Sequence, residues 1–148
     1  MIDRRAALAG LAAAATAGWP LRAAELLEME RLYGPEEDRT GPGPIFSDLA
    51  RRNDGRRVRF RGFMAPPLIA ETNFFVLADI PMAICPFCDT ESEWPNNIVS
   101  VFAKRVVEVT PFHAPIEVEG VLRLGPHLHE PTGFLSLVRL DDATLARL

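Results

Sequence analysis

The sequence lacks the motifs that mark the common classes of enzyme. It contains no glycine-rich phosphate loop, no Gly-x-Ser-x-Gly and no His-Glu-x-x-His, so nothing in it indicates a nucleotidase, a serine hydrolase or a zinc protease. The sequence also lacks an excess of positive charge, with 16 Lys and Arg against 20 Asp and Glu. The formal net charge is −4, which gives no electrostatic reason to bind nucleic acid. We therefore expect neither a catalytic activity of its own nor a nucleic-acid partner.

The apolar run at the N-terminus is too short to cross a bilayer. Residues 6–17 form a run of twelve mostly small, apolar residues, whereas a spanning helix needs about 20. The charged start at residues 3–5 and the small-x-small end at residues 15–17 identify residues 1–17 as a secretory signal peptide. The alternatives are an Ala-rich disordered start or a helix of the fold.

Removal of this signal would leave a periplasmic protein that is not inserted in the membrane. Its net charge would change from −4 to −5, because residues 3–5 carry one net positive charge. Arg4-Arg5 leaves two export routes open, the general secretory route and the twin-arginine route.

The rest of the chain is long enough for one domain and carries five strand patterns. They are Arg56 to Met64, Asn73 to Ile80, Asn97 to Phe102 with an extension to Val107, Ile116 to Leu124, and Phe134 to Leu140. Gly62 and Gly120, inside the first and fourth strands, suit a tightly coiled sheet. The pattern predicts an all-β fold with minor α content, specifically a small five-stranded antiparallel barrel of the OB type.

The segments around this barrel are predicted to be irregular or helical. Residues 18–44 are expected to be a loosely packed lead-in, with a short N-terminal helix from Glu25 to Tyr33. The barrel domain would then occupy residues 45–148, with Ser47 as the cap of a further helical turn. Asp141 to Leu148 is expected to close the chain as a short helix or tail.

The residues best suited to chemistry lie between the second and third predicted strands. Cys85-Pro86-Phe87-Cys88 places two thiols at positions i and i+3, where both can face one ion. Thiolates are soft ligands that suit zinc or cuprous copper, and two of them fill half of a tetrahedral site. Metal binding by Cys85 and Cys88 therefore requires further ligands from elsewhere.

The expected further ligands are His127 and His129, in the connection between the fourth and fifth predicted strands. Their i, i+2 spacing puts both imidazoles on one face of an extended segment. In an OB barrel the first strand pairs with the fourth, which brings this connection to the same end as the cysteine pair. We therefore predict a zinc site, with copper as the alternative metal, formed by Cys85, Cys88, His127 and His129.

Two other interpretations of the cysteine pair remain open. Exported proteins with two cysteines often form a disulfide, and a Cys85–Cys88 bond would make the protein a disulfide-locked interaction module. The pair could also cycle between dithiol and disulfide as a redox protein. Carboxylates that follow the motif, such as Asp89 and Glu91, argue against redox activity because they raise a thiol pKa. The two histidines could equally be solvated loop residues.

The order of these motifs resembles a family of uncharacterised secreted bacterial OB-like proteins. The matching segments, within about residues 46–142, are Gly55 to Val58, Gly62 to Pro66, Phe74 to Leu77, Cys85, Pro95 to Val99 and Val118 to Leu122. Many members carry Cys-x-His where this chain has Cys85 followed by Cys88. The resemblance implies an OB-like fold and a role as an accessory of a metal transport system.

Overall fold

The computed structural model describes residues 23–67, 69, 71–84 and 94–148. Its strands are β1 (Glu25–Leu26), β2 (Arg57–Met64), β3 (Thr72–Ala78), β4 (Ile98–Val107), β5 (Pro115–His129) and β6 (Phe134–Arg147). The 3₁₀ turns Met29–Leu32 and Glu36–Asp38 and the helix α1 (Asp48–Asn53) precede β2. The predicted predominance of β structure is confirmed. Among these described residues, no helix is both long enough and apolar enough to cross a membrane.

The six strands form one mixed sheet in the order β1-β2-β3-β4-β6-β5, and β2 also pairs with β5. The extra pairing joins β2, β3, β4, β6 and β5 into a closed sheet. β2 and β5 run antiparallel, with Arg57 opposite Val121 and Phe63 opposite Pro115, as predicted for the first and fourth strand patterns.

The prediction of a purely antiparallel sheet is wrong, because β4 pairs with β6 and β1 pairs with β2 in parallel. The parallel β4–β6 pair follows from the chain path. β5 reverses the direction of β4, and β6 reverses it again, so β6 lies beside β4 with the same direction. Alternation of apolar residues specifies the faces of a strand, but it does not specify the direction of a neighbour.

β5 and β6 are both longer than their sequence patterns predict. Their antiparallel pairing extends from Ile116 opposite Arg147 to His129 opposite Phe134. The predicted C-terminal helix or tail at residues 141–148 is therefore wrong, and His129 lies in a strand rather than in a loop. Irregular pairing near Gly125, which has a φ of 106°, lets β5 continue where Gly-Pro suggests a turn.

The segment before β2 contributes to the core, although not as the predicted helix. In place of a helix from Glu25 to Tyr33, β1 is followed by a single 3₁₀ turn. Leu27, Met29 and Leu32 are all buried in the central apolar cluster. The prediction for Ser47 is confirmed, since its Oγ accepts a hydrogen bond from the Ala50 amide at 3.2 Å.

The apolar residues divide into two clusters on opposite faces of β3. Phe75 and Leu77 belong to the central cluster inside the closed sheet. Phe74, Val76 and Ala78 point the other way and form a second cluster with residues that include Ala65 and Ile98. β3 is thus buried on both faces, which explains why its sequence is a continuous apolar run.

Gly62 in β2 provides a test of how closely the strands of the closed sheet approach. A Cβ atom at this position would collide with the backbone oxygen of Ala78 in β3. We expect Gly62→Ala to lower the free energy of unfolding by about 2 kcal/mol, since overpacking against backbone cannot relax easily. Gly41→Ala is the matched control, because a Cβ there meets nothing within 4 Å. Urea denaturation of both variants measures this loss of stability. Equal denaturation midpoints for Gly62→Ala and Gly41→Ala would contradict the expectation.

Candidate functional site

The structure describes one half of the predicted metal site. His127 and His129 lie at the end of β5. Cys85 and Cys88 lie outside the described residues. Across the described ranges, no group of three or more His, Cys, Asp or Glu side chains is arranged to hold a metal ion. From the described part of the chain, the two histidines are therefore the candidate ligands.

Both imidazoles lie in a group of aromatic rings that we call the hairpin cluster: Phe74, Phe102, His127, His129 and Phe134. The His129 ring stacks on Phe74 with centroids 4.3 Å apart and planes at 27°. His127 and His129 both meet the Phe102 ring edge-on, at 5.2 and 5.5 Å. Phe134 packs on Phe74 at 5.7 Å. The two imidazoles thus share one face of β5, as their spacing predicts.

The orientation of His129 is fixed by the turn that follows it. His129 Nδ1 lies 2.7 Å from Thr132 Oγ1. The Thr132 hydroxyl donates to the His129 carbonyl at 3.5 Å, so its oxygen is available to accept from Nδ1–H. In the tautomer with the proton on Nδ1, the Thr132 oxygen accepts from the ring and the lone pair is on Nε2.

The surroundings of His129 favour its neutral form. Partial burial lowers the pKa of His129 below the usual value, and the charge of neighbouring His127 lowers it further. Neutral imidazole is the form that binds metal. Burial and the neighbouring His127 act in the same direction, so the surroundings favour the ligand form.

A buried pair of hydroxyls holds this part of β6 against β4. Ser136 lies directly opposite His127 in the β5–β6 pairing. Its hydroxyl donates to Ser100 Oγ at 2.7 Å, and both serines are fully buried. Because a buried hydroxyl without a partner costs about 1–3 kcal/mol, this pair fixes the position of the hairpin that carries the histidines.

The residues that flank the cysteine segment pack near the hairpin cluster. Met82, before the segment, and Trp94, after it, both contact the second apolar cluster. The Trp94 ring lies 6.1 Å from Phe134, and its Nε1–H donates to the Tyr33 hydroxyl at 2.8 Å. Met82 and Trp94 therefore both pack beside the apolar cluster on which His129 is stacked.

Sequence reasoning missed the residues that position the histidines. Phe74 and Phe102 are far from the histidines in sequence and carried only a strand signal. Thr132 offered a local signal, since a threonine three residues after a histidine can bond to it across a turn. Trp94 packs at the rim of both apolar clusters.

Comparison with known proteins bears on the fold only. No protein-family model and no curated protein matches the chain. The crystal structure of a DUF3299 family protein from Pseudomonas aeruginosa PAO1 is similar, with a TM-score of 0.56 and 15% sequence identity. The alignment covers 85% of this chain and 97% of that protein. At this identity the likeness shows a shared fold and nothing about ligands or partners.

The contact between Trp94 and Tyr33 gives a direct spectroscopic test, because Tyr33 is the only tyrosine in the sequence. Burial raises the pKa of Tyr33 to about 12, and the hydrogen bond from Trp94 offsets part of this rise. The folded protein favours the neutral phenol of Tyr33. The contribution of this preference to stability is therefore complete below pH 10 and is lost as the pH rises through about 12.

We expect the tyrosinate absorbance of the folded protein to appear with a midpoint near pH 12. The same protein in concentrated denaturant should titrate near pH 10, the ordinary value for tyrosine. A midpoint near 10 in the folded protein would show that Tyr33 is not buried against Trp94.

Proposed function

We propose that the closed sheet is an OB-type barrel. Three features support this: a ring of five strands, an antiparallel pair between its first and fourth members, and a parallel pair between its third and fifth. This strand order matches the Greek-key barrel of the OB fold.

We further propose that the chain is an exported metal-binding accessory protein of the periplasm, with no catalytic activity of its own. The metal would be zinc, with copper as the alternative, held by Cys85, Cys88, His127 and His129. The observation that carries this proposal is the placement of His129. Its Nδ1 lies 2.7 Å from Thr132 Oγ1, so Nε2 is the ring nitrogen left for a metal, and His127 shares its face.

The proposed donor set fits the chemistry of zinc. Two thiolates and two imidazoles complete a tetrahedral site, with sulfur at about 2.3 Å and nitrogen at about 2.0–2.1 Å. A ligating histidine usually donates its other ring N–H to a fixed acceptor, which orients the ring and strengthens the ligand. Thr132 supplies that acceptor for His129.

The role of an accessory to a metal transport system rests on two features of the sequence. The predicted signal at residues 1–17 directs the protein to the compartment where such systems collect metal. The resemblance to secreted OB-like proteins supplies the association with transport. The mature protein would hold or pass on a metal ion rather than transform a substrate.

Zinc titration of the reduced mature protein, residues 18–148, against a chromophoric chelator tests the proposal. We expect one zinc per chain. Cys85→Ser, His127→Gln and His129→Gln should each weaken binding at least about tenfold, and Thr132→Val should weaken it by about 10–100-fold through the orientation of His129. Thr132→Ser, which keeps the hydroxyl, should restore most of the affinity.

His113→Gln is the matched control, since this exposed histidine contacts Phe112 in the connection between β4 and β5. It should bind zinc like the parent protein. Equal zinc affinity of the parent protein and the His129→Gln variant would show that His129 is not a ligand. A protein isolated from the periplasm without metal and without free thiols would favour the disulfide-locked module instead.

A further inference from the structure

A second candidate site lies on the side of Trp94 away from the hairpin cluster. It is beside the loop formed by residues 34–45. Both ends of this loop are fixed. Gly34 donates its amide to the Ile45 carbonyl at 2.8 Å, and Ser47 donates to the Leu32 carbonyl at 2.8 Å. A compact loop with its ends held together is a frequent place for a binding function.

A cavity of about 160 Å³ separates this loop from the residues that follow the cysteine segment. Its walls are formed by two aromatic rings, an ion pair, an amide and proline-rich backbone: Tyr33, Trp94, Glu36, Arg39, Asn96, Gly34, Pro35, Pro44 and Ile45. An apolar cavity of about 150 Å³ accommodates benzene, whereas pockets for drug-sized molecules measure about 300–1,000 Å³. The space therefore suits a solute of roughly six to ten heavy atoms.

The charges in the wall are arranged as a side-by-side pair of opposite sign. Arg39 Nη2 lies 2.7 Å from Glu36 Oε1, and the Glu36 side chain is 84% exposed whereas that of Arg39 is 31% exposed. A contact to a carboxylate this exposed contributes little to stability, so a ligand ammonium can share Glu36 at small cost. The rings of Tyr33 and Trp94 supply an apolar surface in the same cavity.

We propose that this cavity binds a free α-amino acid with an aliphatic side chain. Such a solute is a small zwitterion whose carboxylate and ammonium groups are adjacent, as the guanidinium and carboxylate are in the wall. The α-carboxylate pairs with Arg39, the α-ammonium pairs with Glu36, and the aliphatic side chain packs on Trp94. This site uses none of the proposed metal ligands.

Calorimetric titration of the mature protein with L-leucine, L-valine and L-alanine tests the proposal, together with the indole N–H signals in a two-dimensional NMR spectrum. We expect saturable binding that shifts the Trp94 signal, identified with Trp94→Phe. N-acetyl-L-leucine lacks the ammonium and L-leucinamide lacks the carboxylate, and each should bind at least about tenfold more weakly, since each loses a charged hydrogen bond.

Arg39→Gln and Glu36→Gln should each weaken the binding of L-leucine by about tenfold or more, for the same reason. Arg52→Gln and Glu37→Gln are the matched controls, because both residues are exposed and neither contributes to the described cavity wall. The controls should bind like the parent protein.

Three results would overturn the proposal. The first is no saturable binding of any of the three amino acids up to the solubility of leucine. The second is undiminished binding by both Arg39→Gln and Glu36→Gln. The third is equal binding of L-leucine and its two blocked derivatives, which would exclude recognition of a zwitterion.

Discussion

The packing of the β5–β6 hairpin on the outer face of β3 and β4 determines the form of this protein. β5 and β6 are longer than the closed sheet requires, and their paired ends extend to His129 and Phe134. The Phe74 ring packs against the rings of His129 and Phe134, with centroid distances of 4.3 and 5.7 Å. This contact buries the second face of β3. It also places two imidazoles beside the cluster on which Met82 and Trp94, the residues that flank the cysteine segment, pack.

The strands and their faces could be predicted from the sequence, because alternation and turn residues are local signals. The Ser47 cap is local as well, and it was predicted correctly. Strand direction and strand length are different, since they depend on partners distant in sequence. The Gly125-Pro126 step resembles a turn, yet pairing with β6 carries β5 past it to His129. The parallel β4–β6 pair likewise has no local signature.

The candidate site likewise combines features that local sequence signals predict with features that depend on residues distant in the chain. The shared face of His127 and His129 follows from their spacing in an extended segment, and the structure has it. The stacking of His129 on Phe74 joins strands far apart in the chain, so no local pattern could reveal it. The predicted meeting of histidines with Cys85 and Cys88 stays a prediction, because both cysteines lie outside the described residues.

The central claim is that the hairpin and the cysteine segment together form one metal site. X-ray absorption spectroscopy of the zinc-loaded mature protein tests this claim most directly, because it identifies the atoms bound to the metal. The account predicts two sulfur neighbours at about 2.3 Å and two nitrogen neighbours at about 2.0–2.1 Å. A zinc ion with four sulfur neighbours, or with none, would contradict it.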